Sequence, residues 1–456
     1  MNVSYTGEIC EKARPLSLEQ ILPGLPSVDH GGLVDILEVV DEKLAKKLQR
    51  PEMMVKKEII DVVPSPKVMC GEEEWAKVVE ALYQRKLVKP VSKYPAIEGK
   101  PVLNGAFGVV KAGRTTESGK EVLRMIFDLR ASNAILDQID GDVKKLVGAA
   151  GFLKLTIQEG SSLLVSGEDL TAAFYLFRLP PQWAEFMVLE KEVPWEVFSP
   201  GKAGKTFVGI SVLPMGWNSA VGIMQAAHRQ IALRAPRLGG AGLEQLAEIR
   251  RDSVFPDLEE TPLWTIYLDD TTIIESVATT VQKSLEGKPA AEQEKLRRAY
   301  QWWGIPTNAS KALERCKKTE RPGAILDGEK GVLRTSNKRA LDLISLGSWL
   351  RSKGNVDKKA LQIYAGKAVH ILQFRRCLLS VMEKIFTEIS KPSSSHRMSK
   401  ALVAEMLNLE AMLPAASFNL KAKIDPVVTA SDAMGLVSPH VLVGWEKKGG
   451  KDDGWR

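Results

Sequence analysis

Cysteine and histidine are scarce: the 456 residues include only 4 Cys and 5 His. Cys10, Cys70, Cys316 and Cys377 lie far apart, with no neighbour at metal-ligand spacing, and His30, His228, His370, His396 and His440 form no cluster. Neither a structural zinc site nor a disulfide framework is expected. No stretch reaches the ~20 apolar residues of a membrane span. The N-terminus carries Glu8 and Glu11 and no apolar segment, so no secretory leader is expected. These absences point to a reducing compartment, cytoplasm or nucleus, and away from membranes. No internal repeat occurs, and the only low-complexity tract is Ser393–Ser395.

The rest of the composition is ordinary for a globular chain, with 44% hydrophobic and 26% charged residues, enough length for two to four domains. The net charge of +7 favours a polyanionic partner. It is unevenly spread. From Arg334 to Lys391 there are twelve Lys/Arg against four Asp/Glu, an excess of eight. Such a segment suits nucleic-acid phosphates or is a solvated helical face.

Residues 1–32, rich in Pro, Gly and Ser, read as a loop or as the scar of a larger polypeptide. Leu33, Leu37, Val40, Leu44 and Leu48 recur at helical spacing, followed by a linker from Pro51 to Pro66. A helix is expected from Glu72 to Lys86, with Trp75, Val78, Val79 and Leu82 on one face and Pro90 and Pro95 as its stop. Strand-like runs Phe107–Val110 and Val122–Phe127 flank a polar turn. Three β-like segments lie between Leu163 and Leu213; helices are expected from Asn218 to Arg234 and from Pro289 to Trp303, the latter closed by Gly304. After a hairpin from Gly323 to Leu333 the pattern is helical. Leu341, Ile344, Trp349 and Leu350 mark one helix, and Leu361 to Phe386 a longer one.

The most informative stretch is Leu263-Trp264-Thr265-Ile266-Tyr267-Leu268-Asp269-Asp270-Thr271-Thr272-Ile273-Ile274. Two β-branched, apolar runs around a Leu-Asp-Asp turn predict a tight hairpin. Adjacent carboxylates at its tip repel, and a divalent cation would relieve them. About a hundred residues earlier, in Ser166-Gly167-Glu168-Asp169-Leu170-Thr171-Ala172-Ala173-Phe174-Tyr175, another acid closes an apolar strand.

Tyr267-Leu268-Asp269-Asp270 resembles the Tyr-x-Asp-Asp box of reverse transcriptases, and five further segments resemble that family's motifs in family order. They are Arg124 to Asn133 (fingers), the segment around Asp169, Leu213-Pro214-Met215-Gly216 opening a helix, Gly304 to Lys311, and Gly323 to Gly328. The resemblance covers about two thirds of the chain and looks closest to retrotransposon polymerases. It departs from the retroviral pattern at Met215, where Gln is usual, and at Pro322, where an apolar residue is usual.

The resemblance implies an α+β, right-hand polymerase (fingers, palm, helical thumb) with a split βαβ palm, copying RNA into DNA from a primer. Its implied divisions are an N-terminal extension (1–66), fingers (67–162), palm (163–322), primer-gripping hairpin and thumb (323–395), and a connection (396–456). Asp169, Asp269 and Asp270, with the Leu170 carbonyl, would hold two Mg2+ ions, with Mn2+ as a substitute. Arg124 and Lys111 would grip the triphosphate, Phe174 would exclude a 2′-hydroxyl, and Met215 and Gly216 would approach the nucleotide. Lys311 would protonate the leaving pyrophosphate. Asp128 and Arg130 are expected to pair, and Asn218 or Ser219 to cap the following helix. The implied partners are an RNA or DNA template with its primer and deoxynucleoside triphosphates. Val427 to Ala433 resembles the first strand of a ribonuclease H fold, but only 24 residues follow Asp432, so that module would be truncated. Two other readings stay open: an RNA-dependent RNA polymerase, and a domesticated, non-catalytic nucleic-acid scaffold.

Overall fold

The computed structural model describes residues 13–422, apart from 60, 61, 257, 259, 260, 321 and 322. The segment around Asp432, and Pro322, lie outside the described residues.

Residues 13–32 are packed rather than loose: Leu16 and Ile21 are buried. The helical spacing from Leu33 to Leu48 becomes two short helices, Ile36–Val39 and Glu42–Leu48. Val40 is extended, and the Asp41 carboxylate caps the second helix by accepting from the Leu44 N–H. Helix α1 (Glu72–Gln84) buries Trp75, Val78, Val79 and Leu82, and its first-turn Glu72, Glu73 and Glu74 suit the positive end of its dipole. It ends well before the expected prolines. Pro90 instead lies in strand β1 (Val88–Val91), an edge strand where a missing N–H is tolerated.

Strands β2 (Gly105–Thr115) and β3 (Glu121–Asp128) form a long antiparallel hairpin. Strand β4 (Ser161–Asp169) enters the central sheet, whereas β5 (Val188–Pro194) and β6 (Lys205–Ile210) complete a three-stranded sheet with β1. Helix α2 (Ala220–Leu233) follows, then β7 (Leu263–Tyr267), β8 (Asp270–Ala278), α3 (Ala291–Trp303) and β9 (Leu313–Cys316). Gly304 ends α3 at φ +64°, a left-handed position that favours glycine.

The central sheet runs Ala247–Glu248, β7, β8, β4, β9. Side chains alternate across a strand. Along β4, Leu163 and Val165 face a core shared with Phe152, Leu326 and Leu333, while Glu168 faces α3. On β8, Ile274 joins that same core and Ile273 the other. Both faces are therefore covered, and β4 reads as a nearly continuous buried run.

The chain then forms β10 (Ile325–Asp327) and β11 (Val332–Arg334) and a helical layer: α4 (Asn337–Lys353), α5 (Lys358–Leu372), α6 (Glu383–Ser390) and α7 (Lys400–Met412). Leu343, Leu350, Leu361, Tyr364, Ile385, Met406 and Leu409 are its shared core. One expectation holds and one fails here. The helix marked by Leu341, Ile344, Trp349 and Leu350 forms as α4, with the first three facing solvent and Leu350 buried. The long helix from Leu361 to Phe386 is broken by the non-helical Arg375 (φ −147°, ψ 79°) within Gln373–Met382. The cause is divided packing: Phe374 belongs to the core beneath the central sheet, whereas Leu372 and Met382 belong to the helical core.

Candidate functional site

The register of the central sheet brings distant acids together. Asp270 stands directly opposite Asp169 in the antiparallel β4–β8 ladder, and the Leu170 N–H donates to the Asp269 carbonyl at 3.0 Å. Directly opposed residues share a face. Asp169 and Asp270 thus face away from α2 and α3, while the next pair, Glu168 and Thr271, faces those helices.

A cavity of about 570 Å³ opens at this point. Asp169, Asp269, Leu170, Phe174 and Met215 line it, with Lys111, Arg114, Arg124 and Lys311 as cations and Asn308 beside them. Pro23 to Leu25 close one wall, a role that the loop reading of the N-terminal segment did not anticipate. Asp270 and Gly216 do not line it. Gly216 sits at φ +108°, where a Cβ would collide with the Phe127 carbonyl oxygen. Its close approach is therefore to its own chain, and it lines a separate groove with Asp128 and Arg130.

Electrostatics within the cavity are opposed. Burial first, then the neighbouring Asp169 charge, raises the Asp269 pKa, with Lys311 and Arg124 acting the other way. Burial, then Arg114, Arg124 and Lys311, lower that of Lys111. The Lys311 ammonium bonds both oxygens of Asp169, at 2.9 and 3.1 Å. Among the described residues, no group of three or more His, Cys, Asp or Glu gathers closely enough to hold a metal ion.

Two residues of the cavity wall, Ala172 (φ +53°) and Leu268 (φ +57°), adopt the left-handed conformation without being glycine. Each costs about 1–2 kcal/mol, so the surroundings must hold it. At Leu268 the holders come from α2. The Gln225 Oε1 accepts from the Leu268 N–H at 2.9 Å, and His228 Nδ1 bonds the Leu268 carbonyl at 2.6 Å. Burial pushes the His228 pKa down to about 4, so the ring is neutral at physiological pH.

The other expected residues serve mainly to brace. Asp128 and Arg130 form a bidentate pair at 2.8 and 2.7 Å. Asn133 ties the turn before α2 by donating to the Gly216 carbonyl (2.9 Å) and accepting from the Asn218 N–H (3.0 Å). The Ser219 hydroxyl does not cap α2; it accepts from the Ile139 N–H. Residues that sequence reasoning missed are Arg114, Gln225, His228, Thr271, Tyr300 and the Glu168–Arg297 pair (2.7 Å) beneath Asp169. The available signal was polar side chains placed among apolar ones on α2.

Neither a protein-family model nor a curated protein sequence matches the chain. Solved structures do. A foamy viral protease-reverse transcriptase (dRH) in complex with double-stranded DNA superposes with a TM-score of 0.52 at 12% identity, over 83% of this chain and 59% of that one. The foamy viral protease-reverse transcriptase with an RNA/DNA hybrid gives 0.50 at 11% identity (84% and 46%), and with double-stranded DNA 0.50 at 12% (89% and 74%). The fold is reverse-transcriptase-like. This chain spans less than two thirds of the length of the first two of these proteins.

Proposed function

We propose that the chain is a primer-extending, RNA-directed DNA polymerase whose cavity receives a deoxynucleoside triphosphate. One observation carries this reading: a ladder register that joins Asp169 to the Asp269–Asp270 turn beside a cavity holding Lys111, Arg114, Arg124 and Lys311. Four cations suit a triphosphate, and arginine forks bind phosphate oxygens in pairs.

The acids have the donor chemistry of a hard divalent cation, although in this structure they are not gathered closely enough to hold one and Lys311 occupies both oxygens of Asp169. Their donors are carboxylate oxygens, and the repulsion and burial that raise the Asp269 pKa are what such a cation relieves. Asp169 and Asp269, with Asp270 and the Leu170 carbonyl, would hold Mg2+ or Mn2+, which supplies activation of a primer hydroxyl and neutralisation of phosphate charge. Lys311, held by Asp169, is the candidate proton donor to pyrophosphate. Phe174, on the cavity wall, is the candidate barrier to a 2′-hydroxyl, and so favours this reading over an RNA polymerase.

In this reading residues 67–162 act as fingers, 163–322 as palm and 323–395 as primer-gripping hairpin and thumb. Proteins of this fold solved with duplex DNA and RNA/DNA support a nucleic-acid partner. So does α4, which exposes Leu341, Ile344 and Trp349 among Ser345 and Ser348, with the Lys353 ammonium 5.6 Å from the Trp349 ring. An aromatic side chain among small polar ones suits the wide, shallow minor groove of an A-like duplex.

The test is extension of a DNA primer on an RNA template by the purified chain with Mg2+. Extension with deoxynucleotides is expected. The Lys311–Asp169 ion pair favours a second reading, a nucleic-acid-binding scaffold without catalysis. Binding of template-primer with no extension would select it.

A further inference from the structure

We propose that His228 is a positioning residue for the Asp269 carboxylate, acting through the backbone of Leu268 as the end of a hydrogen-bonded chain Thr271–Tyr300–His228. The direction of the His228–Leu268 bond follows from chemistry. A carbonyl oxygen only accepts, so the His228 Nδ1 that meets Leu268 carries the ring proton. In the neutral ring Nε2 is then an acceptor, and the Tyr300 hydroxyl donates to it at 2.8 Å. With the Tyr300 proton directed at Nε2, the Thr271 hydroxyl donates to the Tyr300 oxygen at 2.9 Å; Thr271 Oγ1 also lies 3.3 Å from Nε2, so the two hydroxyls close a triangle around that one acceptor. All three side chains are fully buried.

The chain of bonds grips the turn on both sides of its acids. His228 takes the Leu268 carbonyl immediately before Asp269, and Thr271 follows Asp270 immediately after. It does so from the helix face of the sheet, so the grip does not compete with ligands on the face that Asp169 and Asp270 share. Leucine has no intrinsic preference for φ +57°, and the peptide between Leu268 and Asp269 carries the carboxylate with it. Gln225 alone holds the N–H side; without His228 the carbonyl side is released.

The kinetic part of the test rests on the polymerase reading, but the decisive part needs neither metal nor nucleic acid. Amide hydrogen exchange is measured on the full chain for His228→Leu, His228→Asn and Tyr300→Phe. Asn keeps a donor close to the place of Nδ1; Leu keeps none. Exchange at residues 268–271 is expected to quicken at least tenfold in His228→Leu and about threefold in Tyr300→Phe. His228→Asn should stay within about twofold of wild type, and the β2–β3 hairpin should be unchanged throughout. In primer extension, His228→Leu should raise the Mg2+ concentration for half-maximal rate at least fivefold and lower kcat, with template-primer Kd unchanged. A merely structural role would lower the folded fraction without moving that Mg2+ dependence.

Wild-type exchange at the turn in His228→Leu, or equally fast exchange in His228→Asn, overturns the proposal. If His228→Leu does not fold, Tyr300→Phe decides: unchanged exchange at 268–271 refutes it. A wild-type chain that extends no primer would end the polymerase reading, and the exchange comparison would still decide this one.

Discussion

The central sheet and the helical layer treat polar and apolar groups in opposite ways. Beneath the Asp269 turn, polar side chains are buried and partnered: His228, Thr271 and Tyr300 with one another, Gln225 with the backbone of Ile266 and Leu268, and Glu168 with Gln293 and Arg297. On α4, large apolar side chains face water, with Leu341 62% and Trp349 52% exposed. Each arrangement costs folding free energy taken alone, since buried polar groups need desolvation and exposed apolar ones forgo burial. The difference teaches where each region's work lies. In the sheet, buried bonds fix a few atoms at the cavity; on the helix, an apolar surface left open suits a partner.

Breaking the sheet side should have the largest effect. Asp169→Asn or Asp269→Asn is expected to reduce primer extension at least ~10³-fold, about 4 kcal/mol of barrier, while template-primer affinity changes less than about threefold. Extension at wild-type rates would remove these acids from the chemistry.

A pH series sharpens the contrast next. The folded chain keeps His228 neutral down to about pH 4, whereas the unfolded chain takes up the proton near 6.5. The contribution is therefore complete above pH 6.5 and lost as pH falls towards 4, by about 3 kcal/mol. Urea unfolding of wild type and His228→Asn at pH 7 and 4.5 measures it as the difference in pH dependence between the two chains. The exposed apolar face of α4 contributes nothing of this kind.

Phe174→Val tests the cavity wall and not its acids. Ribonucleotide use relative to deoxynucleotide should rise roughly 10–100-fold, with a modest fall in overall rate. An unchanged ratio makes Phe174 a core residue.

The smallest effect is expected on the helical side. Neutralising Lys359 and Lys367 together should weaken template-primer binding a few-fold and flatten its salt dependence by up to about two units of slope. An unchanged slope would mean that these charges only solvate the outside.

Much of the site was legible because short-range chemistry writes it. The Leu-Asp-Asp turn, the β2–β3 hairpin, α1 and the Gly304 stop all follow from local pattern, and the Asp128–Arg130 pair needs only neighbours in sequence. The sheet around Asp169 was less legible, because β4 is covered on both faces and shows no alternation. On α4 the pattern gave the helix but not its surroundings: apolar spacing reports secondary structure, and says nothing about whether a face meets a core or a partner.

The sequence by itself determined the carboxylates, the cations and the turn between β7 and β8, since these depend on residue type and on neighbours a few positions away. Only the tertiary structure decided that Asp269 shares a cavity with Lys111, that Lys311 lies on Asp169, and that Gly216 is spent against Phe127. It also decided that the helix after Leu361 breaks at Arg375. These depend on ladder register and on which of two cores a side chain joins, and both are set by contacts between residues tens to hundreds of positions apart.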